Sequence, residues 1–212
     1  MFKFEGVRYR DVLFIDDFAI PAGKITCITG ASGGGKTTLL RLLAKLVSPD
    51  EGTLTMFDES LSERHSVMHR REVALLSQQP ILFPGTVADN LRVGLALEGK
   101  DATDMDLLAV MQSVRLKQAL DADVEHLSGG EAQRLALARV LLLDRPVILL
   151  DEPSSALDEE TESQIIQMVV DIVKAQGKTL VMVTHSTQEA RRHADVIATL
   201  ENGRLKGRDD HA

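Results

Sequence analysis

The chain has 212 residues, 44% of them apolar and 26% charged, ordinary globular usage with room for one α/β domain carrying an insertion or for two small domains. A formal net charge of −8 is the wrong sign for a surface that grips duplex nucleic acid, and 3% aromatics with no Trp exclude a mode that stacks many bases, so no nucleic acid is expected as a partner. The single cysteine, Cys27, excludes an intrachain disulfide; inside an apolar run it reads as a small buried hydrophobe suited to a reducing compartment.

No apolar signal region follows Met1, and the richest apolar stretch, Leu135 to Leu150, is broken by Arg139, Asp144 and Arg145. No segment is therefore expected to cross a membrane, and a membrane role has to come through a partner. Residues 2–20 alternate in places (Phe2, Phe4; Val12, Phe14; Phe18, Ile20), which predicts antiparallel strands rather than a βαβ unit. Tyr9, the sole tyrosine, reads equally as a half-covered strand residue or as a ring on which a base can lie.

Lys24 to Thr29 then reads as a short buried strand, and Thr38 to Val47, with leucines at 39, 40, 42, 43 and 46, as a helix packed on one side. Between them Gly30-Ala31-Ser32-Gly33-Gly34-Gly35-Lys36-Thr37 has the spacing of a phosphate-binding loop. Glycines let such a loop fold around a polyphosphate with its N–H groups inward, and the helix adds the positive end of its dipole. Lys36 would reach the β- and γ-phosphates and Thr37 would offer a hydroxyl to Mg²⁺.

Ser48-Pro49-Asp50-Glu51-Gly52 is a stop and turn, and Leu54 with Met56 marks a short strand. Residues 58–72 are charged; His65 and His69 stand at helical spacing, and without a third ligand the pair reads as part of a solvated face. Val73 to Ser77 predicts a buried strand that delivers Gln78 at its carboxyl end. From Thr86 to Asp144 the pattern turns helical over 89–97, 104–120 and 131–143, a lobe inserted into the sheet domain. Val147 to Leu150 is continuous and apolar, as a strand covered on both faces should be, and ends in Asp151-Glu152-Pro153.

An amphipathic helix is predicted from Asp158, with Ile165, Ile166, Val169, Val170 and Val173 on one side and Gly177 as its stop. Thr179 to Thr184 repeats the buried-strand pattern and ends in His185, after which Ser186 and Glu189 are spaced as a capping box. Val196 to Leu200 and Arg204 to Lys206 flank Asn202-Gly203, a strong hairpin signal, and Gly207 to Ala212 is expected to be a frayed tail.

Four apolar runs thus end in polar groups: the glycine loop, Gln78, Asp151-Glu152 and His185. In a parallel sheet all strand carboxyl ends share one edge, where open α/β sheets bind ligands, so the four groups are expected to converge. Asp151 suits Mg²⁺, a hard cation that takes carboxylate oxygen. Glu152 can accept the proton of an attacking water, Gln78 can orient that water or touch the metal, and His185 can contact the γ-phosphate.

Leu127-Ser128-Gly129-Gly130-Glu131-Ala132-Gln133-Arg134 fits no simple kinase or small GTPase. Ser128 and Glu131 would cap a helix whatever its function, yet the glycines also expose N–H donors at a helix head, a second phosphate site.

Taken in order, Gly30 to Thr37, Gln78, Leu127 to Gln133, Val147 to Glu152, Ser155-Ala156-Leu157-Asp158 and His185 resemble the Walker A loop, Q-loop, signature, Walker B, D-loop and switch histidine of ATP-binding cassette (ABC) ATPases, over nearly the whole chain. The resemblance implies an α/β P-loop NTPase (RecA-like) fold: a mainly parallel sheet with an N-terminal antiparallel β-subdomain and an inserted α-helical subdomain. Residues 1–85 and 145–212 would form the catalytic core and 86–144 the signature lobe. It implies ATP and Mg²⁺ as cofactors, with Tyr9 stacking on adenine and Gly30 through Thr37 together with Thr38 on the phosphates. Thr37, Gln78 and Asp151 would serve the metal, and Glu152, His185 and Gln78 hydrolysis. Ser128, Gly129, Gly130 and Asp158 would act across a head-to-tail dimer of two copies with two nucleotides between them.

Within the resemblance, the leading expectation is the ATP-hydrolysing subunit of a transporter. It would be cytoplasmic, held at the inner face of the cell membrane by separate integral membrane permease subunits. Phe83 to Leu91 is similar to the segment that receives a permease helix. The alternative is a soluble ATPase of the cofactor-assembly scaffold type. The transported substrate would be read by the permease, not by this chain.

Overall fold

In the computed structural model, which describes residues 1–153 and 158–210, the two kinds of sheet pattern separate into two sheets. β1 (Phe2–Tyr9) and β2 (Leu13–Ile20) pair antiparallel, and Phe2, Phe4, Val7, Leu13, Ile15, Phe18 and Ile20 are all buried. β4 (Glu51–Met56) pairs with the other edge of β1, and the two-residue β5 (Glu59–Ser60) completes the order β2-β1-β4-β5.

The larger sheet takes β3 (Ile25–Thr29), β6 (Val73–Leu76), β7 (Val147–Asp151), β8 (Thr179–Val183), β9 (Val196–Glu201) and β10 (Arg204–Asp210) in the order β10-β9-β3-β8-β7-β6. All pairings are parallel except β10 on β9. Every residue of β3, β7 and β8 is buried, because both faces are covered. Successive strand residues point to opposite faces: Val147, Leu149, Val181 and Val183 pack with α1 (Lys36–Leu43) and the antiparallel sheet, while Ile148, Leu150, Leu180 and Met182 pack with the helices that carry Leu91, Leu107, Leu137, Val169 and Ala190. Cys27 lies on that second face, fully buried, and burial pushes its thiol up to about 12.

α3 (Val87–Ala96), α4 (Asp104–Ser113) and α5 (Gly129–Leu142) share the second core. Each opens with a reciprocal Ser/Thr and acidic-residue cap: Thr86 with Asp89, Thr103 with Asp106, Ser128 with Glu131. α4 is shorter than the 104–120 expected from periodicity. It stops at Ser113, the chain turns through Arg115 at φ 56°, and Leu116 is buried from outside the helix. α6 (Glu159–Ala175) buries Ile165, Ile166, Val169, Val170 and Val173, each worth about 1.5–3 kcal/mol of hydrophobic stabilisation, and Gly177 follows at φ 61°.

Three further expectations are corrected. The tail does not fray at Gly207: β10 runs to Asp210, its backbone paired to β9 as far as Val196, with a register shift between Leu205 and Gly207. His69 is not on a solvated face. It sits in α2 (Ser66–Arg70) with no exposed surface, its Nε2 2.7 Å from the Leu43 carbonyl at the end of α1, and burial holds its pKa below the usual histidine value. His65 instead caps α2, and no group of three or more metal-ligating side chains occurs among the described residues. Ser186 caps α7 (Thr187–His193), but the Glu189 side chain turns to His193 at 3.0 Å, so the box is only half formed. No helix among the described residues is long and apolar enough to cross a membrane.

Candidate active site

The carboxyl ends of β3, β8, β7 and β6 lie side by side along one edge of the larger sheet, which brings the glycine loop, His185, Asp151-Glu152 and Gln78 together as expected. The loop owes its path to backbone that only glycine adopts easily. Gly30, Gly33 and Gly35 have φ of 133°, 76° and 96°. A Cβ on Gly30 would stand 2.0 Å from the Leu200 carbonyl oxygen, and one on Gly34 3.0 Å from the same atom. The tip of the β9–β10 hairpin is thus the floor of the loop, and the Gly203 N–H donates to the Gly34 carbonyl at 3.1 Å.

Lys36 is 5% exposed and folds back over this loop, its Nζ donating to the Gly30 and Ala31 carbonyls at 2.9 Å each. α1 begins at Gly35 in the left-handed region with no side-chain cap, leaving the N–H groups of its head to an anion. Val12, Ser32, Gly33, Gly35, Lys36, Thr37, Thr38, Gln78 and Glu152 line an open cleft of about 370 Å³ above it.

Glu152 is the junction of the other strand ends. Gln78 Nε2 donates to its Oε2 at 2.6 Å, and His185 Nε2 lies 2.5 Å from its Oε1. Its backbone is left-handed, φ 48°, a conformation that costs a non-glycine residue about 1–3 kcal/mol and is characteristic of functional sites. The turn lifts the carboxylate out of the strand, while the Glu152 N–H still donates to the Val183 carbonyl at 3.1 Å.

Asp151, one residue earlier, stays in the sheet at 2% exposure, and its Oδ1 has no hydrogen-bond partner. Burial pushes its carboxyl above the usual carboxylate range, a hydrogen bond with Thr37 opposes the shift, and the Glu152 charge adds to it. A buried carboxylate oxygen left without a donor, beside a hydroxyl, is the oxygen-donor chemistry of a hard divalent cation. Thr37 and Asp151 therefore fit Mg²⁺.

Other predicted residues stand apart from the cleft. Tyr9 ends β1 and is partly buried, with the Arg10 guanidinium 5.2 Å from its ring centroid; Val12, three residues on, is the residue that lines the cleft. Ser128 Oγ accepts from the Glu131 N–H at 3.4 Å, while the Ser128 N–H and Oγ donate to Glu131 Oε2 at 2.8 and 2.7 Å. Ser128 and Gly129 are exposed, and Gly130 half-buried. Asp158 caps α6 through the Thr161 N–H and Oγ1, at 3.0 and 2.8 Å, while its motif neighbours 155–157 lie outside the described residues.

The floor of the site is not marked in the local sequence. Asn202-Gly203 signalled a hairpin but not what the hairpin supports, and nothing in the local pattern of Leu200 or Val12 marks either as part of a ligand cleft. Asn90 was legible only as one polar position on an otherwise apolar helix face. It is fully buried, accepts from the Phe83 N–H at 2.9 Å and donates to the Phe83 and Thr86 carbonyls at 2.8 and 3.0 Å.

A strand, a glycine loop with a lysine across it and a helix, set at the carboxyl edge of a parallel sheet beside two carboxylates, define a P-loop nucleoside triphosphatase site. Residues 14–155 match the family model described as "ABC transporter", and the chain belongs to that family, as an ATP-binding ATPase cassette. It is 39% identical over 199 residues to Protein STAR1 of Oryza sativa subsp. japonica, covering 93% of this chain and 58% of the rice protein. Over 205 residues it is 38% identical to the thiamine import ATP-binding protein ThiQ of Aliivibrio fischeri, covering 93% of this chain and 86% of ThiQ. Among solved structures it is similar to the dimeric post-hydrolysis state of the ATP-binding cassette MJ0796 bound to ADP and Pi, at TM-score 0.88 and 26% identity, over 99% of this chain and 98% of that one. A bacterial Atm1-family ABC exporter with ATP bound gives TM-score 0.88 at 29% identity, over 99% of this chain and 38% of the exporter. The chain spans little more than half of the rice relative and a minor part of the exporter.

Proposed function

We propose that this cassette hydrolyses MgATP as a head-to-tail dimer of two copies and so drives transport through separate integral membrane permease subunits, which hold it at the inner face of the cell membrane. The observation that carries the proposal is the Glu152 carboxylate, held between Gln78 and His185 at the mouth of the cleft that Lys36 and Thr37 line. The import and export proteins among its relatives support the transporter reading over a soluble assembly ATPase.

In this reading the N–H groups from Gly30 to Thr38 surround the phosphates, and Lys36 exchanges its two loop carbonyls for phosphate oxygens. Thr37, Asp151 and Gln78 would hold Mg²⁺, which when bound offsets the negative charge of the phosphates. Glu152 accepts the proton of the attacking water. Both of its oxygens are engaged by Gln78 and His185, so one partner must turn aside first, and His185 is then free to meet the γ-phosphate. Tyr9 supports the adenine once the Arg10 guanidinium moves off its ring. Ser128, Gly129 and Gly130 complete the partner copy's nucleotide site, and Asp158 stands at the same interface. Residues 86–144 act as the lobe that carries this signature, on a core of 1–85 and 145–212.

Replacing Glu152 with Gln keeps the shape and removes the base. Turnover is expected to slow by about 10²–10⁴-fold, with ATP still bound and the dimer trapped. Light scattering of the variant with MgATP tests this; a monomer at saturating nucleotide overturns the shared-site reading.

A further inference from the structure

α5 carries the signature at its head, and further along the same helix stands Arg139. Its neighbours Leu135, Ala136, Leu137, Ala138 and Val140 on α5 are buried and apolar, while Arg139 itself is half-buried. No ion pair involves Arg139 among the described residues, and burial holds its guanidinium below its ordinary pKa. Its Nη2 instead donates to the Ile81 carbonyl at 2.7 Å, and its Cζ lies over the Phe83 ring, 5.3 Å from the centroid. Nη1 is buried without a partner.

The far side of the Phe83 backbone is gripped by Asn90 through both its N–H and its carbonyl. The segment from Gln78 to Phe83 is therefore tied at both ends: at Gln78 to the Glu152 carboxylate, and at Ile81 and Phe83 to α5 and α3. A guanidinium carries several N–H donors in a fixed fork, so it can donate to a carbonyl while its cation lies over a ring, which suits arginine here better than the point charge of lysine.

We propose that Arg139 is a positioning residue for hydrolysis: by clamping Ile81 and Phe83 to the signature-bearing helix, it makes the hold of Gln78 on Glu152 depend on where that helix sits. This rests on the ATPase reading above. Ile81 and Phe83 are 65% and 45% exposed, so burial alone does not hold them in place.

The test is MgATP hydrolysis by the full chain carrying Arg139→Gln, Arg139→Lys or Phe83→Leu, each alone and combined with Gln78→Ala. For Arg139→Gln we expect kcat to fall by about ten-fold with the KM for ATP unchanged, and Arg139→Lys to recover part of the loss. In the Gln78→Ala background the same change should cost less than about two-fold, because the group it positions is already gone. An equal factor in both backgrounds means Arg139 only stabilises the fold, and overturns the clamp. If Arg139→Gln does not fold, Phe83→Leu, which leaves α5 untouched, decides by the same criterion. A wild-type chain that hydrolyses no MgATP would instead refute the functional reading.

Discussion

Two glycine-rich loops open helices in this molecule, and they are built on opposite principles. The loop before α1 has no side-chain cap, runs through left-handed backbone and lies against the β9–β10 hairpin so closely that no Cβ fits at Gly30. The loop before α5 is closed by the Ser128–Glu131 box, and at Gly129 the backbone is helical, with nothing within 4 Å of an added Cβ. Inside this chain the first loop's glycines are required and Gly129 is not; alanine there would favour the helix. A glycine with no reason within its own molecule points to a close approach from another one, which is the geometry the proposed dimer would supply.

The largest effect should come from Gly30→Ala. Left-handed backbone and a 2.0 Å approach to the Leu200 carbonyl together predict a loss of about 2–5 kcal/mol, read as a lower denaturation midpoint, with nucleotide binding lost as well. Lys36→Ala removes a cation that is satisfied by carbonyls of its own loop; the protein should melt near the wild type and fail to bind ATP tightly in calorimetry. Ser128→Arg should cost about 1 kcal/mol of cap, leave ATP binding by one copy intact and block hydrolysis. Normal hydrolysis would reduce that loop to a helix cap. Gly129→Ala is the smallest in stability and the sharpest in meaning: the midpoint holds or rises, by at most about 1 kcal/mol, while hydrolysis falls. If hydrolysis is untouched, the difference between the two loops has no functional content.

The strand ends were legible because burial on both faces leaves a continuous apolar run, and the first polar residue after it marks the sheet edge. That logic found Gln78, Asp151, Glu152 and His185 without any contact being known. It failed where backbone pairing or long-range packing overrides composition. Arg208 to Asp210 look like a tail, yet a strand needs only N–H and carbonyl groups, and β9 supplies their partners. His69 sits in a charged stretch, and only the distant Leu43 carbonyl explains its burial. Glu189 has the spacing of a capping residue, but His193 one turn further on competes for its carboxylate. The role of Arg139 was invisible because Ile81 lies 58 positions away in the chain.

The support of Gly30 and Gly34 by Leu200 and Gly203 also has a consequence for biosynthesis. The glycine loop is made before the hairpin it rests on, so a nascent polypeptide halted before residue 200 contains the complete loop motif with nothing beneath it. Acquisition of ligand affinity is then expected to wait until the β9–β10 hairpin has emerged from the ribosome.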